Sequence, residues 1–184
     1  MKNLYIILGP QGSGKSTQGE NIKNKFNLGY IIMSDLLIKK SKQNKNIKKI
    51  MTNGELVPPE ISSDLMFKEI KKIKNKNILI DGFPREIAQA NMLDYFLYLN
   101  KDIKLKNIIY IKLNKKECIK RLLLRKRYDD TKKSIENRLN FYYEKTDPVI
   151  KEYKNRNKLI IINGNKEIKE VFKEITTKIK NKIK

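Results

Sequence analysis

The chain has 184 residues, the length of one domain, and no break in composition divides it. Hydrophobic residues make up 39% and charged residues 34%, enough to build a core and unlike a disordered tail. Histidine is absent and Cys118 is the single cysteine, which excludes disulfide scaffolds, His/Cys zinc sites and histidine-based catalysis, and fits a reducing compartment, the cytoplasm.

No stretch approaches the roughly 20 apolar residues that span a bilayer, so no membrane association is expected. Lys2 and Asn3 lead directly into a short apolar run, unlike a signal peptide. Lys+Arg number 42 against 20 Asp+Glu, a net charge of +22. Such an excess suggests a polyanion partner. The lysines, however, run the whole length without a segregated block, interleaved with Asn and Ile as in Asn44-Lys45-Asn46-Ile47-Lys48-Lys49-Ile50. That pattern reads as a solvated basic surface laid over an ordinary fold, and no nucleic-acid partner is expected.

Short apolar runs alternate with longer amphipathic segments. Leu4-Tyr5-Ile6-Ile7-Leu8 reads as a buried strand, followed by a glycine-rich loop from Gly9 to Gly14 and a helix from Lys15 to Phe26. Tyr30-Ile31-Ile32 is a second strand, and Ser34 or Asp35 can cap the helix after it. Helix and loop are hard to separate from Lys39 to Ile50. A helix opens at Pro58-Pro59-Glu60 and runs to about Lys74, because proline is tolerated in a first turn.

Asn77 to Asp81 is a strand ending in the loop Gly82-Phe83-Pro84. A helix follows over Ile87–Leu99, a strand over Ile108–Leu113 and a helix over Lys115–Arg125. Helix covers Thr131–Tyr153 with a bend at Asp147-Pro148, then a strand Leu159–Ile162 and a last helix Glu167–Ile183. Five continuous apolar strands alternating with helices imply an α/β fold, a five-stranded parallel sheet flanked by helices on both faces.

Gly9-x-x-x-x-Gly14-Lys15-Ser16 is a P-loop pattern set between a predicted strand and helix, as that motif requires. Its glycines let backbone N–H groups turn inward around phosphate oxygens, and the following helix presents its positive dipole end. Lys15 can neutralise the β and γ phosphates, and the Ser16 hydroxyl can ligate Mg²⁺. Asp81, at a strand C-terminus, could hold Mg²⁺ through water; a loop or capping aspartate is the plain alternative.

Arginine occurs six times, at 85, 121, 125, 127, 138 and 156, so 36 of the 42 basic residues are lysine. Where any positive charge suffices, this sequence uses Lys. A retained arginine suggests a planar, bidentate fork for phosphate or carboxylate. Four of the six fall between 121 and 138, which counts alone leave open to chance clustering on a solvated helix.

At these residues the chain resembles the adenylate kinase family of nucleoside monophosphate kinases, over essentially its whole length. The resemblance rests on Gly9-Pro-Gln-Gly-Ser-Gly-Lys-Ser-Thr-Gln18, on Gly54-Glu55-Leu56-Val57-Pro58 and, most specifically, on Asp81-Gly82-Phe83-Pro84-Arg85. Arg121-x-x-x-Arg125, Arg127-x-Asp129-Asp130, Arg138, Tyr142-Tyr143, Pro148-Val149-Ile150 and Asn163-Gly164-Asn165-Lys166 continue it. It implies one kinase domain over 1–184, with an acceptor-binding insert at about 33–62 and a short lid at about 124–131.

The roles it implies divide the motif residues between two nucleotides. ATP would be held by Gly12, Ser13, Gly14, Lys15, Ser16 and Thr17, with Arg121 stacked on its adenine, Lys166 near the same base and Arg125 at its phosphates. AMP would be held by Met33, Glu55, Leu56, Val57, Gly82, Arg85 and Gln89, Arg85 gripping its phosphate and Gln89 reading its base. Arg125, Arg127 and Arg138 would surround the transferring phosphoryl group, Arg127 and Arg138 reaching the acceptor as well. Lys15, Arg85, Arg125, Arg127 and Arg138 would be catalytic, and Ser16 and Asp81 would hold Mg²⁺, Asp81 through water. A monomer acting on ATP and AMP is implied. A UMP/CMP-type kinase is the alternative within the family, and a catalytically weakened nucleotide- or RNA-binding protein the alternative outside it.

The chemistry needs no general base, because an acceptor phosphate oxygen is already anionic near neutral pH. Repulsion between two phosphates must instead be offset by lysine, Mg²⁺ and fixed guanidinium groups in a cleft closed to water.

Three departures carry expectations of their own. Ile38 stands where the family has an acceptor-phosphate arginine, so acceptor-phosphate binding is expected to be weakened. Met33 and Ser34 stand where the family has a small hydroxyl residue and a glycine near the acceptor base, whereas Gln89-Ala90 favours adenine. Lys126 alone separates Arg125 from Arg127, so the lid is minimal, and some ATP hydrolysis without acceptor is expected. Cys118 and Tyr142-Tyr143 are expected to pack helices, as is the Tyr95-Phe96-x-Tyr98 cluster.

Overall fold

A computed structural model describes residues 1–125 and 131–180. Its strands are β1 (Lys2–Leu8), β2 (Gly29–Ile32), β3 (Asn77–Asp81), β4 (Ile103–Lys112) and β5 (Leu159–Asn163). All pair in parallel, in the order β2-β3-β1-β4-β5, so β1 lies at the centre with β3 and β4 on either side. The helices are α1 (Lys15–Phe26), α2 (Met33–Ser41), α3 (Lys45–Thr52), α4 (Pro59–Lys72), α5 (Ile87–Leu99), α6 (Lys115–Arg125), α7 (Lys132–Phe141), α8 (Asp147–Asn155) and α9 (Ile168–Ile179).

Alternation along β1 divides the core. Leu4, Ile6 and Leu8 face one layer with Met66 and Ile70 of α4, Leu93 and Phe96 of α5, and Val149 and Tyr153 of α8. Tyr5 and Ile7 face the other, with Ile22 of α1 and Val171, Ile175 and Ile179 of α9. Each aliphatic side chain so buried contributes roughly 1.5–3 kcal/mol relative to exposure, which is why the strands read as unbroken apolar runs. A third, smaller cluster of Leu113, Cys118, Leu122, Ile135 and Leu139 joins α6 to α7. The edge strand β5 departs from the pattern, with Ile161 43% exposed.

Local chemistry explains most boundaries. Pro59 opens α4, and the Lys2 ammonium donates to Ile70 O at 2.9 Å and Lys71 O at 3.0 Å, placing a cation on the carbonyl end of that helix. The ambiguous stretch after β2 is two short helices, split because Asn44 caps α3 by accepting from Ile47 N–H at 3.0 Å. The expected cap at Ser34 or Asp35 is not used: α2 starts at Met33, and Asp35 sits in its first turn, where the helix dipole favours it.

The expected strand at Ile108 begins five residues earlier, at Ile103, where its register against β1 shifts between Leu4 and Tyr5. The bend expected at Asp147-Pro148 takes the form of a π-helical turn over Tyr142–Thr146, after which α8 starts with Pro148 in its first turn. The last helix begins after its capping residue Glu167. Its expected final residues, 181–183, lie outside the described residues, as do residues 126–130 of the expected lid.

Candidate active site

The loop after β1 and the end of β3 meet because those strands are neighbours, with Ile7 paired to Asp81. Gly14, at φ 88°, turns the chain into α1 in a conformation that a side chain would strain. Gly12 is constrained by space as well: a Cβ there would lie 2.9 Å from Cys118 O and 3.2 Å from Leu122 Cγ. The loop therefore rests directly on α6. Cys118 is fully buried and burial pushes its thiol up to about 11, so it packs as a small apolar group and is no nucleophile at neutral pH.

Within the loop the Lys15 ammonium donates to Gly9 O at 2.7 Å and Pro10 O at 3.0 Å. Its removal from water lowers its pKa to about 8, with the charges of Arg85 and Arg125 pushing the same way and Asp81 opposing. Ser16 donates its hydroxyl to Asp81 Oδ2 at 2.9 Å, and the Tyr30 hydroxyl donates to the same oxygen at 3.0 Å. Asp81 is buried, 3% exposed. Burial and the Asp81 charge raise the Tyr30 pKa, so its phenol stays a donor.

Arg85 is held in the loop that β3 enters. Its Nε donates to Gly82 O at 2.8 Å, its N–H to Gln89 Oε1 at 2.8 Å, and its carbonyl accepts from Thr146 Oγ1 at 2.7 Å. A Cβ on Gly82 would lie 2.8 Å from Arg85 Nη2, so the glycine admits the guanidinium over the backbone. The Phe83–Pro84 peptide bond in this loop is cis. Burial lowers the Arg85 pKa, against the pull of Asp81.

Arg138 lies alongside the acceptor-side loop: a Cβ on Gly54 would be 3.2 Å from its Cγ, and its own Nε and Nη2 donate to Ser134 O and Oγ at 3.2 and 3.0 Å. Lys15, Ser16, Asp81 and Arg85 thus gather at the C-terminal ends of β1 and β3, with Arg125 near enough to act on Lys15 electrostatically.

Other expected positions are engaged locally. Arg121 donates from Nε to Glu117 at 2.8 Å, and Lys166 pairs with Glu174 of α9 at 3.0 Å. Glu174 also lines a groove of about 490 Å³ at the ends of β4 and β5, with Leu113, Asn114, Asn163 and Asn165. Gln89 is buried, and its amide donates to Ser62 Oγ at 3.0 Å and Glu86 at 3.3 Å. Met33 and Val57 are buried at 3% each, Met33 in the apolar cluster with Met66. Leu56 is half-buried, Glu55 and Thr17 are exposed, and Gly82 and Ser13 are buried. Ile38 is 49% exposed on α2. Arg127 lies outside the described residues.

Of the expected packing groups, Tyr142 and Tyr143 meet edge to face at 5.4 Å, whereas Tyr95 and Tyr98 are 64% and 65% exposed and Phe96 alone of its cluster is buried. Arg156, which no motif claimed, pairs with Asp94 of α5 at 2.5 Å and Glu152 of α8 at 2.8 Å, tying those helices together. Tyr30, Ser62 and Thr146 had no signal in the sequence as contributors. Each acts on a partner far along the chain, 51, 27 and 61 residues away.

Among the described residues no cluster of three or more His, Cys, Asp or Glu side chains gathers, and no helix is long and apolar enough to cross a membrane. The oxygen pair of Ser16 and Asp81 is therefore no all-protein cage. It suits a hard cation that keeps most of its waters and takes phosphate ligands.

A family model described as adenylate kinase matches residues 7–158. An adenylate kinase of Prochlorococcus marinus (strain MIT 9515) is 34% identical over 183 residues, covering 97% of this chain and 100% of that protein. An adenylate kinase of Helicobacter pylori (strain G27) is 34% identical over 182 residues, covering 95% of each. One from Alkaliphilus oremlandii (strain OhILAs) is 31% identical over 210 aligned positions, covering 95% of this chain and 97% of that protein. That alignment exceeds the length of this chain, so that relative carries inserted residues.

Proposed function

The chain belongs to the adenylate kinase family and is a nucleoside monophosphate kinase, and we propose that it transfers the γ-phosphoryl group of ATP directly to AMP, giving two ADP. The observation that carries this reading is the grouping of Lys15, Ser16, Asp81 and Arg85 at one end of the sheet. One ammonium and one guanidinium within reach of a glycine loop suit a donor triphosphate and an acceptor monophosphate facing each other.

In this reading the loop N–H groups from Gly12 to Thr17 cradle the donor phosphates, and Lys15 leaves the Gly9 and Pro10 carbonyls to neutralise them. Arg85 grips the acceptor phosphate from a backbone that Gln89 and Thr146 fix, so little freedom is lost when the anion arrives. Arg125, Arg127 and Arg138 offset the charge spread over the transferring group, and an oxygen of the acceptor phosphate attacks in line. Mg²⁺, held by Ser16 and through water by Asp81, would supply further neutralisation at the donor phosphates.

Arg121 and Lys166 are assigned to the donor base, and Glu174, the ion-pair partner of Lys166, lines the groove at the ends of β4 and β5. The insert at 33–62 and Gln89 are assigned to the acceptor, and residues 124–131 to the lid. Every group invoked lies on one chain, so a monomer suffices. A coupled assay of ADP formation from ATP with AMP, CMP or UMP, and from ATP alone, tests the reading. The highest kcat/KM is expected with AMP, above a small rate with ATP alone. Equal or faster turnover of CMP or UMP would overturn the assignment of AMP.

A further inference from the structure

We propose that Tyr30 is a positioning residue, whose hydroxyl holds Asp81 in the orientation that presents the Ser16–Asp81 oxygen pair to a divalent cation. The proposal rests on the reading of Ser16 and Asp81 as the Mg²⁺-holding pair. Tyr30 lies on β2, beside β3, and reaches across to the carboxylate that ends β3. Its ring passes over α1 at Gly19, where a Cβ would come 2.1 Å from the tyrosine oxygen and 2.5 Å from Cζ. Gly19 is three residues after Ser16, on the same face of α1. The glycine, the serine and the tyrosine hydroxyl are thus stacked along one side of the helix, with Asp81 at the end of the stack.

The chemistry of the donors gives the arrangement its use. A buried carboxylate needs hydrogen bonds, and a lysine or arginine would supply them while cancelling its charge. Among the described residues only Ser16 and Tyr30 donate to Asp81, both to Oδ2, and both are neutral. Asp81 is thereby oriented by two neutral donors, neither of which forms an ion pair with it. The Lys15 ammonium, which the Asp81 charge reaches, donates instead to Gly9 O and Pro10 O. Ser16 gives its proton to Asp81, which leaves its oxygen lone pairs for a metal. Core packing alone would be met by phenylalanine at position 30.

The test is equilibrium binding of a fluorescent ATP analogue to the full chain, with Mg²⁺ and with a chelator, in wild type, Tyr30→Phe, Gly19→Ala and Asp81→Asn. Tyr30→Phe is expected to reduce the ratio of the two Kd values ~10-fold, as loss of a partner behind a metal ligand does, while the Mg²⁺-free Kd stays as in wild type. Gly19→Ala, which displaces the hydroxyl, should lower the ratio in the same way, and Asp81→Asn should abolish the Mg²⁺ effect. A purely structural role would move both Kd values together. If Tyr30→Phe changes both equally, or neither, while Asp81→Asn abolishes the effect, the role of Tyr30 is overturned and the cation pair stands. If Asp81→Asn keeps the full Mg²⁺ effect, the cation pair falls and this proposal with it.

Discussion

The ammonium of Lys15 lies 2.7 Å from the carbonyl oxygen of Gly9, folded into the loop whose N–H groups are assigned to phosphate. Burial there lowers its pKa to about 8. A bound polyphosphate reverses the balance, because an adjacent anion favours the charged form and raises the pKa. ATP binding should therefore take up a proton above about pH 8 and little below it. Affinity should be flat at neutral pH and fall roughly tenfold per pH unit above about 8, until the bound-state pKa is reached. Calorimetry in buffers of different ionisation enthalpy measures the uptake. Lys15→Ala should remove both the uptake and the turnover while leaving the thermal melt near wild type.

The arginine assignments predict that charge alone will not substitute for the fork. Arg125→Lys keeps the positive charge and loses the bidentate geometry, and kcat should fall ~10²-fold, the usual cost of a lost preorganised charge stabiliser. Arg138→Lys should behave alike, since its stem lies against the Gly54 loop while Ser134 holds its guanidinium. Near-normal kcat in steady-state kinetics of either variant would remove that residue from the clamp.

Much of this was readable in advance, for a physical reason. Motifs that bind phosphate are local: the glycine loop, its lysine and the following helix are consecutive, so Lys15 and Ser16 could be placed from spacing. Parallel strands buried on both faces write themselves as apolar runs, and all five were visible. What stayed hidden depends on pairing between distant segments. Tyr30 reads as an ordinary strand residue until β2 is set beside β3, and Gly19 as a weak spot in a helix until a tyrosine crosses it. The retained Arg156 has no motif because its reason is an ion pair between α5 and α8.

Ile38 predicts a gain. It is 49% exposed on α2, in the insert assigned to the acceptor, where the family has an arginine. Ile38→Arg should lower the KM for AMP with little change in kcat, the signature of added binding shared by ground state and transition state. An unchanged KM for AMP would mean that this position does not face the acceptor phosphate.

Gly12 links the loop to α6. At φ 82°, and with a Cβ 2.9 Å from Cys118 O, Gly12→Ala must both strain the backbone and push the loop from its support. Left-handed strain alone costs about 1–2 kcal/mol. A drop in the denaturation midpoint together with weakened ATP binding is expected, measured by denaturant titration and nucleotide binding on the same preparation.

The proposed reaction is a direct transfer between two nucleotides, with no residue carrying the phosphoryl group in between. The most direct measurement is the stereochemical course at phosphorus, using ATP made chiral at the γ-phosphorus by oxygen isotopes and AMP as acceptor. A single in-line displacement inverts the configuration, and inversion in the ADP formed from AMP is the predicted result. Retention, the mark of two successive displacements through a phosphorylated side chain, would contradict it.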